Sequence, residues 1–105
     1  MKDIEKILRK LGVGSNYSGY RATVIAVKRV VSEPDRILYV TKELYPEVAH
    51  RCGCSIYSVE RNIRTASHVA WRRNRELLVK IAQYPMSAPP SASQFIDILA
   101  AYLTR

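Results

Sequence analysis

The amino-acid sequence predicts an all-helical fold that contains a helix-turn-helix between about residues 46 and 73. Apolar residues recur mainly at the three- and four-residue spacing of amphipathic helices. In the middle of the chain, a short helical stretch, a glycine and a long basic helical stretch follow one another, which is the order of a helix-turn-helix. The 105 residues are 48% hydrophobic, which is enough to bury one core. We therefore expect a single domain spanning residues 1–105.

Apolar stripes define the first two expected helices. The first helix carries acidic residues in its first turn and basic residues after them, as the helix dipole favours, and Gly12 and Gly14 end it. The second runs from about Gly19 to Ser32, and its broad apolar surface indicates a central, buried helix, since a buried strand would be shorter. The first stripe is Ile4, Ile7, Leu8 and Leu11; the second is Tyr20, Val24, Val27 and Val31, widened by Ile25 and Val30.

Prolines delimit the elements that follow. Pro34 closes the second helix, and the stretch Arg36–Leu44 is expected to be helical. Tyr45 precedes Pro46, and a residue before proline is disfavoured in helical geometry. We therefore expect a new helix to begin at Pro46, a residue suited to the first helical position, and to stop at Gly53.

The C-terminal half contains the longest expected helix. Ser55 is a suitable N-cap for a helix from about Ile56 to Asn74, and a short helix from Arg75 to Gln83 follows. After a loop rich in proline and serine, Ser91 and Gln94 have the spacing of a capping box. The last helix is expected to turn inward Phe95, Ile98, Leu99, Tyr102 and Leu103.

The charge balance indicates a polyanionic partner. Seventeen lysines and arginines oppose nine acidic residues, for a net charge of +8. A compact domain this basic usually binds nucleic acid, and less often an anionic membrane; the alternative is that the charge serves only solubility. No apolar run approaches the length of a membrane span, no signal peptide is evident, and two cysteines make no disulfide framework. We expect a cytoplasmic protein with free thiols that does not bind a membrane.

The residue pattern of the long expected helix indicates where the polyanionic partner binds. On a helical wheel one side is apolar and the opposite side is basic. Between positions 51 and 75 there are six arginines and one acidic residue, Glu60. A solvated helix face normally mixes charges because like charges repel, so this pattern favours contact with DNA or RNA over a solvated face. The core side is Ile56, Val59, Ile63, Ala66 and Ala70; the basic side is Tyr57, Arg61, Arg64, His68 and Arg72, continued by Arg75.

Other kinds of site receive less support. His50, Cys52 and Cys54 could ligate zinc, but no fourth ligand is evident, and a Cys-x-Cys disulfide is strained. We expect Cys52 to be a small core residue and Cys54 a turn residue, with no bound metal. The sequence contains no phosphate-binding glycine loop and no nucleophile with an evident base. We therefore expect neither an enzyme nor a cofactor.

Several short motifs resemble one known family. The stretches Leu44–Ala49, Val59–Arg61, Ile63–Arg64 and Val69–Trp71 resemble the C-terminal effector domain of the master sporulation response regulator of endospore-forming bacteria. The resemblance extends over nearly the whole chain and implies a six-helix bundle with an embedded helix-turn-helix. Shorter matches are Leu11–Val13, Gly19–Tyr20 and Gln94–Ile96.

The resemblance also implies roles for individual residues. Glu60 would contact a base edge, and Arg61 and Arg64 would hold phosphates; a carboxylate that accepts from cytosine N4 is physically reasonable. The family usually has a guanine-contacting arginine immediately before Val59, and this chain has Ser58 at that position. At position 65 this chain has a threonine where the family has a histidine. The expected DNA-contacting residues are Tyr57, Ser58, Glu60, Arg61, Arg64, Thr65, His68 and Arg72.

These observations leave three hypotheses for function. The leading one is a sequence-specific binder of double-stranded DNA that regulates transcription. The second is a protein-interaction module derived from such a domain, with weak or non-specific DNA binding, which Ser58 favours. RNA binding is third, because no aromatic stacking surface is evident. Since this sequence begins at the effector domain, we expect no receiver domain and no aspartyl-phosphate switch, and a monomer in solution that pairs in tandem on DNA.

Overall fold

Five α-helices make up most of residues 2–105, the part of the chain that the computed structural model describes. No strand occurs among these residues, so the all-α fold class is confirmed. The helices are α1 (Lys2–Lys10), α2 (Ser18–Ser32), α3 (Tyr45–Cys52), α4 (Ile56–Ala82) and α5 (Ala92–Thr104).

One cluster of buried side chains joins all five helices. Helices α2, α4 and α5 pack against one another at its centre, α3 packs on α2 and α4, and α1 packs on α2 and α5. The predicted stripe of α1 is buried throughout, and in α5 the inward residues Phe95, Ile98 and Leu99 are buried while Tyr102 and Leu103 are half-buried. The capping box at Ser91 is confirmed, since Gln94 N–H donates to Ser91 Oγ and Ser91 N–H to Gln94 Oε1.

The buried face of α2 differs from the predicted one. Val24, Ile25 and Val31 are only half-buried, whereas small residues such as Ala22 and Ala26 are fully buried. Apolar residues occupy so many positions of α2 that their spacing does not define which side of the helix faces the core. The small residues determine the rotation of α2 about its axis, because they let α2 approach its neighbours closely. A side chain at Gly19 would overlap with the carbonyl oxygen of Asn62 in α4.

The segment before α3 is not the α-helix that the sequence predicted for Arg36–Leu44. Pro34–Tyr39 forms a 3-10 helix and Val40–Leu44 a π-helical turn. Pro46 explains the widened turn, because in a regular α-helix its ring would clash with the carbonyl four residues earlier and it has no N–H to donate.

The start of α3 also differs from the prediction. Tyr45 is helical, with φ −63° and ψ −39°, and α3 begins at Tyr45 rather than at Pro46. The Tyr45 N–H donates to the Val40 carbonyl, and Leu44 and Tyr45 are both buried. Burial of these two side chains outweighs the local preference of a residue that precedes proline.

The sequence predicted two helices that meet at Asn74, and in the structure they are joined as one helix, α4. Asn74 itself has non-helical angles, φ −152° and ψ 62°, so α4 is kinked there. Its side chain accepts a hydrogen bond from Leu77 N–H (3.3 Å), as an N-cap does, and donates one to the Lys10 carbonyl (2.8 Å). The kink is therefore fixed by hydrogen bonds within α4 and to the end of α1.

Candidate nucleic-acid interface

A three-residue turn sets the geometry between α3 and α4. Gly53 adopts the left-handed conformation (φ 67°, ψ 38°), as predicted for the end of α3. Cys54 N–H donates to the Ala49 carbonyl (3.1 Å) and Gly53 N–H to the His50 carbonyl (3.4 Å), which is the pattern of a Schellman motif. Ser55 then caps α4 by accepting from Ser58 N–H (3.1 Å), so this predicted N-cap is confirmed.

The core-facing side of α4 agrees closely with the helical wheel. Val59, Ile63, Ala66 and Ala70 are buried, and Ile56 is half-buried. Trp71 is also buried, at the edge of this face. Because these residues fix the rotation of α4 about its axis, its opposite side faces solvent.

Six of the eight predicted contact residues are exposed along the outer side of α4. Tyr57, in the first turn, is 84% exposed, the most exposed large hydrophobic residue of the described chain. Ser58 and Glu60 are half-buried and flank the line of basic residues. The exposed members of the set are Tyr57, Arg61, Arg64, Thr65, His68 and Arg72.

Two of the predicted hydroxyl groups already have partners within the helix. Ser58 Oγ accepts from Ser55 Oγ (3.1 Å), and Thr65 Oγ1 donates to the Arg61 carbonyl (3.0 Å). Both contacts are local and exposed, so water or a ligand can replace them at small cost.

Glu60 and Arg64 form an ion pair on the outer side of α4. Arg64 Nη1 donates to Glu60 Oε1 and Oε2 at 2.9 and 2.8 Å. Both side chains are more than a third exposed, and an exposed pair one turn apart stabilises a helix by only about 0.3–0.5 kcal/mol. This ion pair was not predicted, although a glutamate four residues before an arginine on a helix is a known signal for one.

The charge of Glu60 also acts on α3. Burial, with a smaller contribution from Glu60, raises the pKa of Tyr45 to about 12. Glu60 is the one acidic residue among the predicted contact residues.

Several other arginines of the described chain either pair with carboxylates or lie over aromatic rings. Arg29, Arg36 and Arg51 form ion pairs with Glu47, two of them also with Glu33, where α2, α3 and the 3-10 helix meet. In α4, by contrast, Arg73 lies over the ring of Tyr17 and Arg75 over the ring of Trp71. These contacts between arginines and aromatic rings were not predicted from the sequence.

The cysteines lie next to the turn. Cys52, at the end of α3, is half-buried, and Cys54 is exposed. Burial raises the pKa of the Cys52 thiol, and the nearby Cys54 raises it further. Within residues 2–105, no three histidine, cysteine or acidic side chains lie together as metal ligands would. In the same range, every helix is too short or too polar to cross a membrane.

Comparison with known proteins gives one family match. The model of the family described as sporulation initiation factor Spo0A C terminal matches residues 4–103, nearly the whole chain. The match includes the turn between α3 and α4, the basic side of α4 and the kink at Asn74.

Proposed function

Because this chain belongs to the family of the sporulation initiation factor Spo0A C-terminal domain, we propose that it is a sequence-specific, double-stranded DNA-binding domain that regulates transcription. In this proposal α3 and α4 form the helix-turn-helix, and residues 1–105 act as a single domain in the cytoplasm. We propose that the two parts of α4 on either side of Asn74 count as separate helices, and the kink at Asn74 supports the six-helix bundle that the resemblance implies.

The basic outer side of α4 is the observation that carries the proposal. Arg61, His68 and Arg72 follow one another along the exposed side, and Tyr57 precedes them at the helix start. Like charges along a helix repel one another, and contact with a polyanion removes this cost. The turn at Gly53 fixes how α4 follows α3. The N-terminal end of α4 can therefore enter a major groove while the sides of the helix contact the phosphates.

The roles of individual residues follow from their chemistry and place. Glu60, in the second turn, can accept a hydrogen bond from cytosine N4, and Tyr57 and Ser58 lie close enough to the helix start to contact neighbouring bases. Arg61 and Arg64 are proposed to bind phosphates, with Thr65 beside them. His68 and Arg72 extend the contact along the backbone.

Removing Arg64 should weaken binding to every duplex. Glu60 and Arg64 must separate before each can contact DNA, and the small energy of the exposed pair allows this. We expect Arg64→Ala to lower affinity for all duplex sequences alike and to reduce the salt slope of binding by about one. Fluorescence anisotropy on two unrelated duplexes measures both quantities. Lys42→Ala, an exposed substitution before α3, is the control, and a loss confined to one sequence would mean that Arg64 contacts bases.

Introducing an arginine at Ser58 should change specificity. Ser58 occupies the position of a guanine-contacting arginine in the resemblance, and it is half-buried at the first turn of α4. We expect Ser58→Arg to tighten binding to guanine-containing variants of the family operator by about 1–3 kcal/mol, the value of a new bidentate pair. Competition gel shifts measure the gain. If no guanine-containing variant gains affinity, α4 docks on DNA in a different orientation from the family's.

The free protein should be a monomer that pairs only on adjacent DNA sites. Phe95, Ile98 and Leu99 of α5 are buried within the chain, which leaves little of this apolar stripe for a permanent interface. One recognition helix covers few base pairs, so a second copy on DNA would supply the missing affinity. Light scattering without DNA should report a monomer, and gel shifts should show cooperative filling of two adjacent sites. A stable dimer in solution would contradict this expectation.

A protein-interaction module with weak DNA binding is the second candidate. The Glu60–Arg64 pair favours it, because the pair neutralises one of the proposed phosphate contacts and occupies the proposed base contact. Ser58 also lacks the charge and reach of an arginine.

A salt titration with competitors tests these functions against each other. The wild-type protein is titrated with duplex DNA at several salt concentrations, with and without single-stranded RNA. Sequence-specific DNA binding predicts a steep salt slope, discrimination among duplexes and little competition from RNA. Weak binding without discrimination supports the interaction module, and efficient competition by RNA overturns DNA as the preferred ligand.

A further inference from the structure

Three arginines surround the kink of α4 without a carboxylate partner. Arg72, Arg73 and Arg75, here called the kink patch, are all exposed. The ion pairs found among residues 2–105 involve Arg29, Arg36, Arg51 and Arg64, and none includes a member of the kink patch. No carboxylate of the described chain is therefore within ion-pair distance of these three guanidinium groups, which lie within four positions.

Aromatic rings hold two members of the kink patch in place. The guanidinium carbon of Arg75 lies 4.0 Å from the ring centroid of Trp71, and that of Arg73 lies 5.7 Å from the ring centroid of Tyr17. Trp71 is buried, so it is a rigid base for the stacked guanidinium. A ring orients a cation without cancelling its charge, and an oriented side chain loses less entropy when it binds a ligand.

The backbone beneath the kink patch is fixed as well. Asn74 donates to the Lys10 carbonyl, and Arg73 Nη1 donates to the Gly12 carbonyl at 3.4 Å. These hydrogen bonds join the kink to the end of α1. A solvated arginine needs no such support, whereas a binding surface benefits from it.

The kink patch lies too far along α4 to share the groove contact of the first turn. Fifteen residues separate Tyr57 from Arg72, about 22 Å at the rise of an α-helix, and the major groove is only about 12 Å wide. A helix that inserts its N-terminal end among the bases therefore carries its other end past the groove wall, which is built of phosphates.

We infer that the kink patch is a second contact for DNA, which binds the phosphate backbone outside the groove segment that the start of α4 occupies. This inference rests on the proposed DNA binding and extends its footprint. An acidic protein surface could also bind three arginines. DNA is favoured because Arg72 lies on the same exposed side of α4 as Arg61 and His68, so that one continuous polyanion can contact all three.

The test compares two duplex lengths. Binding is measured by anisotropy over a range of salt concentrations, with one duplex of about 10 base pairs, one helical turn, and one of about 20 base pairs that share the same core site. The variants are Arg73→Gln/Arg75→Gln, the two members of the kink patch outside the contact proposed above, and, as a control with the same loss of charge, Lys28→Gln/Lys42→Gln, both at exposed positions outside α4. Thermal melts check that each variant folds. Arg75→Lys keeps the charge while it removes the planar stacked group.

The expected result is a length-dependent loss. For the wild type, the salt slope should be steeper on the long duplex, and Arg73→Gln/Arg75→Gln should reduce that slope by about 1.8, or about 0.9 for each lost phosphate contact, with the slope on the short duplex unaffected. The control and Arg75→Lys should keep the slope. Equal losses at both lengths would overturn the inference, because the kink patch would then lie within the groove contact.

Unchanged slopes at both lengths would also overturn it. In that case, weaker binding of polyglutamate by Arg73→Gln/Arg75→Gln than by the wild type would indicate an acidic protein partner instead. Arg61→Ala separates this inference from the proposed function, since it should weaken binding at both lengths. If Arg61→Ala and the wild type bind both duplexes alike, DNA binding by α4 itself is wrong.

Discussion

Replacing Gly19 with alanine should destabilise the fold by about 3 kcal/mol or more, at or above the upper end of the usual cost of overpacking. Gly19 lies in the first turn of α2, with its backbone against the backbone of α4 at Asn62. An added Cβ would overlap with the carbonyl oxygen of Asn62, which is backbone and cannot rotate away. In a free helix the same change would stabilise by about 1 kcal/mol, so the sign of the effect reports the packing.

Gly14→Ala is the matched control for this prediction. A Cβ at Gly14 meets only the side-chain oxygen of Asn16, which can move. Urea unfolding of both variants should therefore give a large loss at Gly19 and a small change at Gly14. Equal free energies of unfolding for Gly19→Ala and the wild type would mean that α2 and α4 are further apart than the contact between Gly19 and Asn62 implies.

Truncating Ile63 should cost about 2–5 kcal/mol of stability, the range for removing a buried isoleucine side chain. Ile63 is fully buried in the middle of the inner side of α4. Its burial fixes the rotation of α4, and that rotation turns Arg61 and Arg64 toward solvent. The same substitution thus tests the orientation of the proposed DNA-binding surface.

Tyr57→Ala is the control for this prediction, because Tyr57 is 84% exposed and should contribute little to the free energy of unfolding. Urea unfolding should separate Ile63→Ala from both Tyr57→Ala and the wild type. A loss below about 1 kcal/mol at Ile63, under the range for buried isoleucines, would show that α4 is rotated and that its basic side is not the outer one.

Local signals in the sequence predicted the helix ends well. Gly53, Ser55 and the Ser91–Gln94 box act through hydrogen bonds to residues a few positions away, so their effect depends little on the rest of the fold. Asn74 belongs to the same class, because the predicted boundary between two helices is the place where its side chain caps the second part of α4.

Long-range packing explains the parts of the fold that were not predicted. The rotation of α2 depends on Gly19, Ala22 and Ala26, whose small size matters only because other helices lie against them. The helical geometry of Tyr45 likewise depends on burial, which local steric rules do not include. A pattern of apolar residues could not distinguish the 3-10 helix and π-helical turn of residues 34–44 from an α-helix, because all three place apolar residues three to five positions apart.

For the candidate site, the sequence predicted which residues face outward but not how they interact. The wheel depends on the helical period alone and placed Arg61, His68 and Arg72 on the exposed side. The Glu60–Arg64 pair was predictable from its spacing. The stacking of Arg73 on Tyr17 was not, because it joins residues 56 positions apart that only the folded chain brings together.

NMR titration of the wild-type protein with a duplex is the most direct test of the proposed DNA contact by α4. Amide and arginine side-chain signals are followed as duplex DNA is added at low salt. The proposal predicts that the largest shifts lie on the turn at Gly53 and along the outer side of α4 from Tyr57 to Arg72, with little change at the core residues Phe95 and Leu99. Shifts concentrated instead on the segment Pro34–Leu44, or no shifts at any residue, would contradict DNA binding through α4.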